Sequence, residues 1–397
     1  MDSRKCILIF VLLLSMCCAQ AQVKTYLQVD SISNNLYAAG QWPQLIRMGN
    51  QAIKDSIDFV GLRSRLGYAY LLTGNYSAAL MEYNHVFKND PADKMSRYYA
   101  YLCQSYLNND PAASYNAGFC DSALLKSQYI SNLQLTSVGM ESGIKLNQDP
   151  YRGTASYNRL SLGLRLSWRL LFDQSVVYFE RPVSKLTDAI IGNAKDNILI
   201  SSRDNEFEYY GKLSYSISQQ LTLLGAYHYL DTKYFSTNYY SNLGLLGLKY
   251  SGNYFNAQAD INFGKLTGYS LTQYNAAVML YPTGNLNFYT VSRFSYLNRD
   301  NNHLPVFNQS IGFKAFKNTW LETLVTFGKL DNYIDSNGLY IYNSIDVSTF
   351  KMGETAFYEL GKHAQLQLNY TFEKKQDSEN NLEYNQASVT AGILWKF

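Results

Sequence analysis

The sequence predicts a multidomain α and β chain: a short all-α repeat domain followed by an antiparallel transmembrane β-barrel of about 14 strands. Three observations carry this expectation. From about residue 24 to 127 the apolar residues recur with a helical period, and the pattern repeats itself. From about residue 130 the period falls to two, in segments of roughly ten residues with one apolar and one polar side. Short turns between those segments alternate with longer polar connections. Composition agrees: only 16% of residues are charged, against roughly 25% in a typical soluble protein. A net charge of +3 with no block of Lys and Arg gives no argument for nucleic acid, so no nucleic-acid partner is expected.

Taken in order, residues 1–21 read as a signal peptide. Arg4 and Lys5 form a positive start, Ile7 to Met16 an apolar run, and Ala19-Gln20-Ala21 a small-residue cleavage pattern, so the mature chain begins near Gln22. The apolar run falls short of the roughly 20 residues needed to span a bilayer. Cys17 and Cys18 suggest bacterial lipidation, which Met16 in front of them disfavours. Cleavage removes Cys6, Cys17 and Cys18 and leaves Cys103 and Cys120, either as a disulfide or as two separate buried thiols. There is no CxxC and no Cys/His cluster, and His85, His228, His303 and His363 are scattered, so no metal or other cofactor is expected.

Residues 22–128 are expected to form the helical domain. Setting "LYAAGQWPQLIRMGNQAIK" (36–54) above "YLLTGNYSAALMEYNHVFK" (70–88) aligns Gly40 with Gly74, Trp42 with Tyr76, Ile46 with Leu80, Asn50 with Asn84 and Lys54 with Lys88, at an offset of 34 residues. That period, with Leu66-Gly67, Tyr70, Ala79, Tyr83 and Pro91 in the second copy, resembles the tetratricopeptide repeat. The first copy departs from it at Ser33 and Gly49, and a third, around residues 95–125, is weaker. The resemblance implies stacked helix pairs whose concave surface recruits a protein, here an unidentified periplasmic partner bound through residues 24–127.

Residues 129–397 are expected to form the barrel, with strands starting near 132, 157, 174, 205, 221, 242, 254, 270, 286, 306, 320, 350, 363 and 383. In "RLSLGLRLSWRL", Leu160, Leu162, Leu164, Leu166, Trp168 and Leu170 oppose Ser161, Gly163, Arg165, Ser167 and Arg169. A soluble core rejects two arginines, whereas a wet lumen accepts them. "FNAQADINF" (255–263) and "AQLQLNYTF" (364–372) repeat the pattern. Short turns fall at 218–220, 251–253, 282–285, 317–319 and 361–362, and long polar connections at 183–203, 231–240, 298–305, 331–338 and 373–382. The stretch 338–360 holds either one long strand with a loop or two short strands. An even strand count returns the C-terminus to the side of the helical domain, the periplasmic side of an outer-membrane barrel.

The final segment alternates Ala387, Val389, Ala391, Ile393 and Trp395 outward and ends on Phe397. Such an ending resembles the C-terminal signal read by the outer-membrane barrel assembly machinery, which the resemblance implies as a partner alongside outer-membrane lipid. The expected location is therefore the outer membrane of a Gram-negative bacterium, with the helical domain in the periplasm.

No GxSxG, P-loop, dinucleotide fingerprint or HExxH is present, so an enzyme is not expected. The one catalytic alternative centres on an inward-facing His228. Glu206 and Glu208 share a strand face and read as solvated. Candidate pore-lining residues are Arg165, Arg169, Lys212, Asp260, Arg293 and Glu322, with Glu208, His228, Lys314 and Lys396 on the same side of their strands. Basic groups outnumber acidic ones, which fits an anion-favouring pore or a salt-bridged network in a closed lumen. About fourteen strands enclose more than side chains fill, which favours a channel unless a loop such as 183–203 plugs it. The domain order resembles exopolysaccharide-export porins, with fewer repeats and a smaller barrel, and also small outer-membrane barrels of the YaiO type. Those resemblances imply a channel or an export or anchor protein for a glycan or other solute, with a plugged structural anchor as the alternative.

Overall fold

The computed structural model describes residues 25–191, 194–299, 302–343, 346–379 and 382–397. The expected signal peptide, with Cys6, Cys17 and Cys18, lies outside them. Among the described residues seven helices precede the strands: α1 (Tyr26–Ala38), α2 (Trp42–Lys54), α3 (Val60–Leu72), α4 (Tyr76–Asn89), α5 (Lys94–Tyr106), α6 (Asp110–Ala117) and α7 (Ser122–Ser127). Helices α1, α3 and α5 start 34 residues apart, and so do α2, α4 and α6.

Local chemistry sets these boundaries. Thr25 and Gln28 form a capping box, Asn75 caps α4 through the Ala78 N–H, and Asp93 caps α5 through the Ser96 N–H. Gly40 and Gly74 end α1 and α3 at φ +66° and +79°, values that cost a residue with a Cβ but not glycine. Gly67 lets α3 and α4 approach so closely that a Cβ there would stand 2.7 Å from the Tyr83 ring. Arg63 bridges Asp58 at 2.7 Å and Glu82 at 2.9 Å, and its guanidinium holds the Asp58 carboxyl below the usual carboxylate range. Cys103 and Cys120 are both free thiols; burial pushes Cys120 up to about 12 and Cys103 higher still, so neither is a thiolate at neutral pH.

The strands that follow are β1 (Gln134–Asn147), β2 (Ala155–Ser167), β3 (Leu170–Ile191), β4 (Ala194–Ser216), β5 (Leu221–Tyr234), β6 (Thr237–Ser251), β7 (Phe255–Leu266), β8 (Tyr269–Leu280), β9 (Phe288–Arg299), β10 (Asn302–Phe316), β11 (Thr319–Leu330), β12 (Tyr333–Asp335), β13 (Tyr340–Tyr342), β14 (Val347–Leu360), β15 (Ala364–Asp377) and β16 (Leu382–Lys396). All but β12 and β13 join one closed barrel of fourteen strands, each antiparallel to its neighbours. The barrel closes between β1 and β16, with Val138 opposite Trp395 and Met140 opposite Ile393. The short strands β12 and β13 stand apart from the wall as a separate hairpin.

The alternation works as the sequence implies. Leu160, Leu162 and Leu166 are exposed on the outer surface while Arg159 and Arg165 are buried on the inner one. Tyr215, Tyr250, Phe255, Phe288, Tyr358 and Trp395 are outward-exposed beside the short turns, the position of an interfacial aromatic girdle. Among the described residues no helix is long and apolar enough to cross a membrane, which says nothing about the strands.

Most of the expected long connections are strand instead. The ladder between β3 and β4 runs on through Val183 opposite Ser202 and Lys185 opposite Ile200, so this stretch forms a hairpin and not a plug. Where they are described, residues 231–240, 298–305 and 373–382 are likewise mostly strand. The ambiguous stretch 338–360 holds the short strand β13 and the long strand β14.

The helical domain sits on the rim that carries the short turns. The Ser77 N–H donates to the Gly284 carbonyl at 3.0 Å, and Asn285 donates to the Gly74 carbonyl at 2.7 Å. Asn84 and Arg97 meet Gln219, and Ser114 donates to the Trp168 carbonyl. A shared core joins Leu71, Leu80, Tyr83, Phe87 and Leu107 to the barrel residues Tyr281 and Tyr289. Asn109, just before α6, reaches into the mouth, where its Oδ1 accepts from Asn256 at 2.8 Å and from Lys249 at 3.2 Å. Asn84 also donates to Asn253, so the docking contacts fall on or beside the turns after β2, β4, β6 and β8.

Candidate functional site

A fourteen-strand wall leaves an interior too wide for side chains alone to fill. Residues 331–343, after β11, fold back inside it. Tyr333 and Ile334 are 0% and 1% exposed, deeper than most of the wall itself. Sequence reasoning placed a loop here but gave the plugging role to residues 183–203.

The plug rests on two kinds of contact. Ile334 packs into an apolar patch of inward-facing residues, Leu230, Leu243, Leu266, Leu271 and Leu297 from β5 to β9. Tyr333 packs with Val306 and Leu330, and its hydroxyl lies 3.1 Å from the Ser295 hydroxyl and accepts from Asn308 at 2.9 Å. Polar groups of the wall then satisfy the plug backbone, which is what burying irregular chain demands. Gln273 donates to the Ile334 carbonyl at 2.6 Å and accepts from its N–H at 3.0 Å. Tyr210 donates to the Asn337 carbonyl at 2.9 Å, and Gln258 to the Asn337 side chain at 2.6 Å. Asn337 and Gly338 turn the chain at φ +62° and +83°.

His228 belongs to this seat. One ring nitrogen lies 2.6 Å from the Gly338 carbonyl and the other 2.8 Å from Glu208. Arg159 donates to the Leu339 carbonyl at 3.3 Å and lies over the Tyr340 ring at 4.2 Å. At the start of the plug, Arg299 pairs with Asp331 at 2.7 Å. At the entry to β14, Arg152 holds Asp346 through two nitrogens at 2.9 and 3.0 Å while reaching Asp377 at 2.9 Å. Lys351 donates to the Tyr342 hydroxyl, and Asn343 to Glu206, which also accepts from Thr232.

The six sequence-derived pore-lining candidates fall into four groups. Arg293 faces inward and bridges Asp335 of the plug at 3.5 Å. Lys212, Asp260 and Glu322 face inward but are engaged by the wall. Lys212 pairs with Asp173 at 3.0 Å, Asp260 accepts from Gln258, Asn262 and Asn275, and Glu322 accepts from Tyr289 at 2.7 Å. Arg165 lies at the mouth and donates to the Ser131 carbonyl and to Gln134, pairing with none of Glu208, Asp260 or Glu322. Arg169 is not on the wall: β2 ends at Ser167 and β3 starts at Leu170, so Arg169 occupies the turn, with its guanidinium over Tyr115 of the helical domain. Lys314 lies over Trp320 near the short-turn rim. Glu206 and Glu208 are buried and hydrogen-bonded rather than solvated.

Beside the plug a cavity of about 1080 Å³ remains. It is lined mainly by β1 to β5 and β14 to β16, with Glu322 and Leu324 of β11 and the plug closing its other side, and it reaches the rim opposite the helical domain, where Phe235, Thr267, Asn332 and Ser378 border it. Its walls include Glu141, Lys145, Arg181, Lys351, Glu373 and Lys375, none of which the sequence reading selected. Glu373 and Lys375 continue the polar parity of Gln365, Gln367, Asn369 and Thr371 on β15, a signal the sequence offered; on β1, β3 and β14 the sequence reading assigns no inward residue to set the parity. Among the described residues no group of three or more His, Cys, Asp or Glu side chains is arranged to hold a metal ion.

No family model matches the chain, and no curated protein matches it by sequence. Among solved structures, the Pseudomonas putida toluene transporter TodX is 9% identical, with 73% of this chain and 92% of that one covered at a TM-score of 0.45. The Acinetobacter baumannii outer membrane protein Omp33 is 7% identical, covering 66% and 99% at 0.36. A bacterial polysaccharide outer membrane secretin is 7% identical, covering 66% and 98% at 0.38. At these values the likenesses transfer no substrate and no activity to this chain.

Proposed function

We propose that this protein is an outer-membrane channel for a small polar solute, with residues 331–343 as its gate and a tetratricopeptide-type module held in the periplasm. The observation that carries the reading is the plug itself. It occupies the lumen on hydrogen bonds and two apolar patches, while a chamber lined by charged and polar side chains beside it already extends in from the far rim. A membrane location is supported by the continuous apolar outer surface with its aromatic girdle. The periplasmic placement of the helices is supported by their docking on the short turns, which face the periplasm in bacterial barrels.

The module's hydrogen bonds to the barrel fall at the turns after β2, β4, β6 and β8, and the periplasmic entrance of the open channel is placed past the turns at 317–318 and 361–363. The surface of α1 to α5 turned away from the barrel would hold a periplasmic protein partner, to be identified by crosslinking. A glycan or its fragments fit the size and polarity of the chamber. The protein is read as a non-enzyme, because the His228 ring is spent on seating Gly338 and contacting Glu208. Liposome swelling tests the proposal: a variant with residues 333–343 replaced by a short Gly-Ser linker admits sugars that the wild type excludes. The buried Arg152–Asp346 pair favours a second reading, a permanently closed anchor, in which removing the plug collapses the barrel instead.

A further inference from the structure

The chamber's acids and bases are not equally satisfied. Glu141 accepts from Gln367 and Tyr157, Glu206 from Asn343 and Thr232, and Glu208 contacts His228. Glu373 accepts from Gln386 at 2.8 Å and from Ser348 at 3.4 Å. On the same walls, Lys351 donates to Tyr342, and Arg181 lies 3.6 Å from Asp346 and 3.8 Å from Asp204. Lys145 of β1 and Lys375 of β15 differ from all of these. Among the described residues neither ammonium forms a hydrogen bond or an ion pair, although Lys375 is only 6% exposed and both line the cavity. The Lys145 nitrogen lies over the face of the Phe179 ring, 5.4 Å from its centroid.

The two lysines flank β16, where Lys145 stands opposite Ser388 and Lys375 opposite Tyr384. The charged groups facing Lys145 are Glu373, Arg181, Lys351 and Glu208; those facing Lys375 are Glu373, Lys145, Arg181 and Asp346. Glu208 is taken by His228 and Asp346 by Arg152 and Tyr384. This sector therefore sets three ammonium groups, on β1, β14 and β15, against one carboxylate not held by another base, that of Glu373. An ammonium withdrawn from bulk water without an acceptor is costly, and a bound anion removes the cost.

We propose that the chamber holds a binding site for a compact anionic group, a carboxylate, sulfate or phosphate, seated between Lys145 and Lys375 with Gln386 and Ser388 beneath it. The site deepens the channel reading by naming the charge of the solute, yet it requires only that the chamber admit ions from its rim, not that the plug move.

The test is isothermal titration calorimetry on the full-length protein in detergent at low ionic strength, with sodium phosphate, sulfate and acetate as probes and glucose as the neutral control. At least one anion binds saturably and glucose does not, and the anion preferred separates carboxylate from oxyanion ligands. Lys145→Gln and Lys375→Gln each weaken binding about tenfold, the worth of one charge-assisted hydrogen bond. Lys362→Gln, on the opposite rim, leaves it unchanged. A heat-modifiable band on gels certifies folding, and Lys145→Gln alone serves as the readout if Lys375→Gln fails that check. Absence of saturable anion binding, or equal binding by wild type and folded variants, overturns the proposal. Anion binding in a protein that never conducts retains the site and refutes the channel.

Discussion

Replacing Ile334 by alanine removes three carbons from a side chain that is 1% exposed and enclosed by Leu230, Leu243, Leu266, Leu271 and Leu297. At about 0.8 kcal/mol per buried methylene, the transfer loss is about 2.4 kcal/mol. The unfilled space raises the total to about 3 kcal/mol. Because Ile334 belongs to a hairpin separate from the barrel wall, this cost falls on seating the plug and not on the barrel. A loss of about 3 kcal/mol multiplies the open population by roughly a hundred. The Ile334 N–H, which donates to Gln273 at 3.0 Å, reports it directly. Hydrogen exchange with mass spectrometry is expected to show residues 333–342 exchanging about a hundredfold faster, with β7 and β8 unchanged. Exchange within about threefold of wild type would show that the patch does not hold the plug. Equal acceleration in β5 to β9 would show that plug and wall are one cooperative unit.

Further outcomes follow from the wall and the helical domain. Leu246→Arg puts a charge on the outer surface near the middle of β6 and costs about 2 to 4 kcal/mol if that surface meets lipid, read as loss of the heat-resistant folded band; a neutral result argues against a membrane. Gly67→Leu drives a side chain into the Tyr83 ring and costs roughly 1 to 3 kcal/mol, lowering the helical circular-dichroism melt while the barrel band survives. Asn109→Ala leaves Lys249 and Asn256 without their shared acceptor, costing about 1 to 3 kcal/mol of docking, so limited proteolysis releases a fragment of residues 25–127 faster than from wild type.

The sequence carried the wall well, because lipid on one side and polar groups on the other impose a strict period of two. "FNAQADINF" shows it: Phe255 and Phe263 are exposed outward, while Asn256, Asp260 and Asn262 are buried inside. The signal failed where lipid no longer enforced it. Above the apolar band, residues such as Ser184, Lys185 and Thr187 are polar on both faces and read as loop, although the ladder to β4 continues beneath them. Arg169 was assigned to the wall because "RLSLGLRLSWRL" alternates without a break across a two-residue turn, and only the pairing of Ser167 with Leu170 reveals the reversal.

The candidate site was less legible. Leu230, Leu266, Leu271 and Leu297 sit at inward positions, and an apolar patch inside a polar lumen signals something that covers it. What covers it is a loop whose contacts reach far along the chain, such as His228 with Gly338, and no local period encodes them. His228 itself was correctly turned inward, but its partners became visible only once the plug was in place.

If residues 331–343 are the gate, they alone close a lumen that is otherwise wide enough to conduct. Single-channel recording in planar bilayers tests it most directly, comparing wild type with the variant in which residues 333–343 are replaced by a short Gly-Ser linker. The wild type is expected to be nearly silent and the variant to show large, stable openings, with both proteins giving the same heat-resistant band. A wild type that conducts as a permanently open pore, or a folded variant that stays silent, would contradict it.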